Sequence, residues 1–151
     1  MRKVQNAGPG SGRTARRRSG SSHLNPVHDL VSQALQSEKG LSKIQASRLF
    51  ERIAATSAVP AGKLRAELIP DASWKRARTT LGPQASQTTA RLKHVLALAE
   101  RVWGNEADAT NWLNSPHPEL RGTSPLAMLR TEAGGRAVEA LLGALEFGFS
   151  V

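Results

Sequence analysis

From Asn111 to Val151, prolines, glycines and capping residues make a dense and ordered punctuation that fixes where helices can begin and end. Pro116 and Pro118 end whatever helix carries Trp112 and Leu113, since each proline lacks an N–H and restricts the residue ahead of it. Thr123 or Ser124, followed by Pro125, makes a cap and a first-turn proline, and Leu126 and Leu129 give the short helix after them one apolar edge. Val138, Leu141, Leu142 and Leu145 then recur at i, i+3, i+4 and i+7, the stripe of a helix with one face turned to a core. Gly148 stands where a helix C-terminus takes a left-handed residue. Phe149, Ser150 and Val151 follow as a short apolar tail.

Upstream the same grammar holds. Asn25-Pro26 opens a helix with Val27, Leu30, Val31 and Ala34 on one face. Ser42-x-x-Gln45 is a capping box, and Ala46, Leu49, Phe50, Ile53 and Ala54 mark the inner side of the helix it begins. Pro60 starts a short helix carrying Leu64 and Leu68, and Ile69-Pro70-Asp71-Ala72 is a turn. Ser73 caps a helix from Trp74 to Leu81 in which Trp74, Ala77 and Leu81 face inward. After Gly82-Pro83, a long helix has Leu92, Val95, Leu96, Ala99 and Val102 inside and Gly104 as its stop; Asn105 caps the next. Helices are thus expected near residues 26–36, 42–56, 60–69, 73–81, 84–103, 105–113, 124–130 and 132–147, with no sheet of three or more strands. Apolar content is mostly Ala and Leu, and tyrosine is absent, which favours helix on helix. The fold class is all-α.

Charge divides the chain. Residues 1–25 carry six basic and no acidic side chains, residues 26–100 eleven basic and six acidic, and residues 101–151 four basic and six acidic. A basic front and a mildly acidic back do not share one partner, and the front suits a polyanion. Residues 1–22 are rich in Gly, Ser and Arg, without apolar periodicity, and are expected to form a disordered basic arm; it is either a solvated tail or an arm that adds phosphate contacts. Gly8, Gly10 and Gly12 follow no strand and open no helix, so they make no nucleotide loop. Without cysteine there is no disulfide framework or thiolate metal site. His23, His28, His94 and His117 are scattered with no metal-ligand spacing, and the serines sit in loops and caps, so neither a metal nor an enzyme is expected. No apolar run reaches membrane-spanning length and the N-terminus lacks a signal-peptide core, so a cytoplasmic protein without cofactor is expected.

Two short helices joined by a tight turn within residues 60–81 are the signature of a helix-turn-helix. Lys75, Arg76, Arg78, Thr79 and Thr80 would face out together with no acid among them, supplying phosphate contacts and short side chains that fit beside bases. The preceding helix adds Lys63 and Arg65, and the following one Arg91 and Lys93. A solvated helix carries charges too, but usually of both signs.

The ordered set from Trp112-Leu113 through Gly122, Ser124-Pro125-Leu126, Leu129, Thr131-Glu132, Gly134, Val138, Leu141-Leu142 and Glu146-x-Gly148 closely resembles the toxin-binding domain of the Xre/MbcA/ParS family of bacterial antitoxins. The resemblance covers residues 97–151 well and the region before loosely. It implies an antitoxin with an Xre-like helix-turn-helix ahead of the toxin-binding domain, which divides the chain into an arm at 1–24, a helix-turn-helix domain at 25–103 and a toxin-binding domain at 104–151. It implies that the C-terminal segment enters a toxin, commonly of the RES fold and acting on NAD, and blocks its active site. Glu146, Phe147, Gly148, Phe149, Ser150 and Val151 occupy the matching positions, and Arg130 joins the set assigned to the toxin. A homodimer is expected because one helix-turn-helix reads half of a palindromic operator. The alternative is a helix-turn-helix regulator whose C-terminal domain only dimerises. An RNA-binding protein is a weaker third class, since no aromatic stacking platform accompanies the charge.

Overall fold

The structure, a computed structural model, describes residues 40–148. The arm, the helix expected at 26–36, and Phe149–Val151 lie outside the described residues. Among those described there are seven α-helices and no strand: α1 Lys43–Thr56, α2 Ala61–Leu68, α3 Asp71–Arg76, α4 Pro83–Trp103, α5 Glu106–Asn114, α6 Pro125–Met128 and α7 Glu132–Glu146, with a 3-10 turn at Pro118–Leu120. The all-α expectation holds.

Local chemistry sets most boundaries. At the start of α1 the Ser42 N–H donates to Gln45 Oε1 at 3.3 Å, which answers one of the amide groups a helix start leaves unpaired. Pro83 sits in the first turn of α4, and Gly104, at φ 76°, ends it with its N–H donating to the Glu100 carbonyl. Asn105 Oδ1 accepts from the Asp108 N–H at 2.8 Å to open α5. Of the two candidate caps ahead of Pro125, Ser124 is the one used, its Oγ accepting from the Ala127 N–H. Thr131 caps α7 in the same way through the Gly134 N–H.

The buried side chains form one cluster running from Ala46 to Leu142. The long helix α4 is its axis: Leu92, Val95, Leu96 and Ala99 are buried along it, and α5 and α7 pack on it more extensively than any other elements. Arg91 meets Gly135, His94 meets Glu139 and Arg101 meets Glu146. The partners rise in the same order on both helices, so α7 runs parallel to α4. The start of α1 lies by Leu81 and Ser86, and Arg52 on the same helix pairs with Glu100, so α1 follows α4 in the same sense. The intervening short helices are the return paths.

One expected element is different. The helix expected at 73–81 begins at Asp71 and ends at Arg76, and the chain then runs extended. The Lys43 N–H donates to the Thr79 carbonyl and the Leu81 N–H to the Leu41 carbonyl, both at 2.9 Å, with Ser42 and Thr80 bridged between them. Ser86 Oγ locks this pairing to α4, accepting from the Leu41 N–H at 2.9 Å and donating to the Leu81 carbonyl at 3.1 Å. A helix continued to Leu81 would strip Leu41 and Lys43 of these partners, and unpaired backbone groups at a half-buried junction are costly. Thr79 and Thr80, both β-branched, lose little by leaving the helix. Ala77 and Leu81 are buried all the same.

Candidate functional site

The C-terminal helix α7 is seated by glycine. Gly134 lies so near the end of α6 that a Cβ there would stand 2.0 Å from the Met128 carbonyl oxygen, and one on Gly135 would meet Arg91 Cδ at 2.3 Å. That close approach lets Arg91 Nη1 donate to the Leu129 carbonyl at 2.7 Å, closing the C-terminus of α6. Arg91 is therefore an internal strut and not a free member of a basic surface, which corrects its assignment. Arg130 follows at the end of α6 and is exposed, with no ion-pair partner among the described residues.

The last turn of α7 is fixed to α4 by a two-pronged contact. Arg101 Nε lies 2.8 Å from Glu146 Oε1, and its Nη2 is 2.8 Å from Oε2. Glu146 is thus engaged within the chain. The next residue is the opposite: Phe147 is 75% exposed. Gly148, at φ 70°, turns the backbone out of the helix with its N–H on the Leu145 carbonyl. Phe147 is thus an exposed aromatic at the helix stop. On α5, the Trp112 ring lies 6.3 Å from that of Trp103 in a tilted contact and 6.3 Å from that of His117 edge-on. Its indole N–H is buried without a hydrogen-bond partner.

Residues 98–148 match the family described as the antitoxin Xre/MbcA/ParS C-terminal toxin-binding domain. They form a domain of that family. Two curated relatives, both named Antitoxin Xre, are similar to this chain. The one from Pseudomonas putida (strain KT2440) is 34% identical over 61 residues, covering 40% of this chain and 38% of the relative. The one from Yersinia enterocolitica serotype O:8 / biotype 1B is 37% identical over 89 residues, covering 56% of this chain and 60% of the relative. The chain therefore spans less than two thirds of the length of either.

Ahead of the Xre/MbcA/ParS domain, the residues assigned to nucleic acid are arranged differently from a single helical face. Lys75 and Arg76 are exposed on α3, while Arg78, Thr79 and Thr80 are exposed on the extended segment after it. Lys63 is exposed on α2. Arg65 is committed elsewhere: its Nη2 lies 2.5 Å from Asp71 Oδ1, and its guanidinium stands over the Trp74 ring at 5.3 Å. Hydrogen bonding from Arg65 pulls the Asp71 carboxyl below the usual carboxylate range, with the guanidinium charge adding to it. Arg65 closes the α2–α3 turn and has little freedom for a phosphate. Lys43 flanks the same indole at 5.0 Å and donates from Nζ to the Ala77 carbonyl at 2.8 Å.

The residues not singled out in the sequence are on the outer side of α1. Lys43, Ile44, Ser47, Arg48 and Glu51 line a shallow hollow whose other wall is Arg78. The inner-face pattern of α1 already left Ile44 and Arg48 outward, but nothing local brings Arg78 to them. Arg52, farther along α1, bridges Glu100 and Glu106, with its Nε 2.6 Å from Glu106 Oε1. The hydrogen bond to Glu106 is the main influence raising its pKa; partial burial opposes it, and the charge of Glu100 adds to the rise. Among the described residues no group of three or more acids or histidines could hold a metal ion, and no helix is long and apolar enough to cross a membrane.

Proposed function

We propose that this chain is the antitoxin of a toxin–antitoxin pair, acting in the cytoplasm as a non-enzymatic homodimer without cofactor. It neutralises a RES-type toxin that acts on NAD by placing its C-terminal segment, Phe147 to Val151, in the toxin's active-site cleft. Through a helix-turn-helix module within residues 25–103 it binds operator DNA and represses its own operon, with Lys75, Arg76, Arg78, Thr79 and Thr80 in contact and Lys63 at the margin. Residues 104–151 are the toxin-binding unit, with Arg130 a further contact.

The observation that carries the neutralising role is the coincidence of two facts. The residues matching a toxin-binding domain end at Gly148, and there Phe147 is exposed to solvent beside a left-handed glycine that ends the helix. A hydrophobe in that position gains most by burial in a partner. Glu146 belongs to the same segment but acts by orienting it, since Arg101 occupies both carboxylate oxygens.

The test is growth of cells that co-express the toxin from the neighbouring gene with the full chain or with a chain ending at Glu146. Loss of protection, with the circular dichroism melting curve kept, is the expected result, because Val138, Leu141 and Leu142 stay buried and still seat α7. Phe149→Asp should act like the truncation by placing an unpaired charge where burial is proposed. Full protection by the truncated chain would refute occlusion by this segment.

A further inference from the structure

The fourteen lysines and arginines of the described residues differ in what holds them. Arg52, Arg65, Arg101 and Arg136 are in ion pairs, and Arg91 is held by the Leu129 carbonyl. The other nine, Lys43, Arg48, Lys63, Lys75, Arg76, Arg78, Lys93, Arg121 and Arg130, have no acidic partner among the described residues; five of them, Lys43, Arg48, Lys75, Arg76 and Arg78, gather on α1 or on α3 and the extended segment after it, with Lys43 Nζ also on the Ala77 carbonyl. The pairing of Leu41–Lys43 with Thr79–Leu81 brings these two sequence-distant groups together. Three cations, Lys43, Arg48 and Arg78, and one acid, Glu51, line the hollow between them. Beside them Ile44 is 64% exposed.

Resting on the reading that the chain binds DNA, we infer that the outer face of α1 is part of that surface. Arg48 and Arg78 take phosphates of one duplex strand, and Ile44 makes the apolar contact to the adjoining sugar edge. Three features select duplex DNA as the occupant. Unpaired positive charge on two separate elements matches a continuous line of phosphates. An exposed branched hydrophobe beside it suits deoxyribose or a thymine methyl. No aromatic residue lines the hollow, so it offers no platform for stacking the unpaired bases of single-stranded RNA. Glu51 repels phosphate and marks the edge of the track.

The test is fluorescence anisotropy of the full chain with a duplex covering the DNA upstream of its own gene, across a salt series. Arg48→Ala should weaken binding roughly three- to ten-fold and lower the slope of log K against log salt by roughly 0.9. Arg48→Lys should retain most of the affinity, and Glu51→Gln should tighten binding. Because the contact is to phosphate, the Arg48→Ala loss should be equal on a scrambled duplex. The melting temperature should not change, since both side chains are exposed. If Arg48→Ala and Glu51→Gln bind like the parent while the double variant Lys75→Ala, Arg76→Ala weakens, the α1 surface is wrong and the DNA reading stands. If the parent shows no salt-dependent affinity for any duplex, both fall. Tighter binding of single-stranded RNA of the same sequence than of the duplex would overturn the choice of partner.

Discussion

Two glycines of α7 invite the same substitution and should answer with opposite signs. Gly134 and Gly143 both lie inside the helix Glu132–Glu146. Replacing either by alanine removes the conformational entropy that glycine loses on folding and improves helix propensity, together about 1 kcal/mol. At Gly143 a Cβ meets nothing within 4 Å, so that gain stands alone. At Gly134 it would stand 2.0 Å from the Met128 carbonyl oxygen and 2.9 Å from Thr131 Oγ1. The first contact is backbone and cannot rotate away; the second is the hydroxyl that caps α7. Forcing α6 and α7 apart costs about 3 kcal/mol at the upper end of ordinary overpacking, leaving Gly134→Ala about 2 kcal/mol less stable than the parent. Urea unfolding followed by circular dichroism at 222 nm (~25 °C) measures both. Gly143→Ala should raise the midpoint and Gly134→Ala lower it, with little change of slope in either. A Gly134→Ala chain as stable as the parent would mean that the α6–α7 junction is looser than the contacts described, and the orientation of the C-terminal segment would lose its structural basis.

Two further outcomes follow from side chains at helix starts. Asn105→Ala should destabilise by about 1 kcal/mol, lowering the melting temperature by roughly 3 °C, because the Asp108 N–H loses its acceptor. Asp71→Asn should be less stable than the parent at neutral pH. Since the folded carboxyl titrates below its ordinary range, the difference should hold above about pH 4 and close as the pH falls further through the folded value; a difference that persists unchanged in acid would detach Asp71 from its ion pair with Arg65.

Elements whose ends are written in neighbouring residues were legible in the sequence. Pro83 and Gly104 bracket α4, Asn105 opens α5 and Ser124-Pro125 opens α6, because a proline, a glycine or a cap acts within one turn. The inner stripe of α7 was legible for the same reason, since Val138, Leu141 and Leu142 need only their own spacing to share a face. What escaped depends on partners far along the chain. Trp74, Ala77 and Leu81 satisfy a helical period, yet the segment ends its helix at Arg76 because Leu41 and Lys43 compete for its backbone. Arg65, Arg91 and Glu146 looked like free charges and are held by Asp71, by the Leu129 carbonyl and by Arg101. Whether a charge is free depends on tertiary neighbours, and in this chain that decides which cations can meet a polyanion.

The placement of the two proposed surfaces along α4 bears on whether they compete. The basic face lies by the N-terminal end of α4, where Gly82 and Pro83 follow the paired segment. The exposed Phe147 lies by its C-terminal end, where Arg101 holds Glu146. At 1.5 Å per residue, Gly82 and Arg101 are about 28 Å apart along the helix, beyond a Debye length at physiological salt. The two attachment points therefore do not sense each other's charge directly. Any coupling has to pass through packed structure. Polar ties from α1 to the C-terminal end of α4 and to α5 run through Arg52, which grips Glu100 and Glu106, and through the hydrogen bond between Thr56 and Thr110. Half-exposed ion pairs of this kind contribute about 1 kcal/mol or less, too little to force one surface open when the other is filled. The buried cluster from Ala46 to Leu142 is continuous between the two surfaces, so any linkage between them has to be sought in its packing and not in these surface ties.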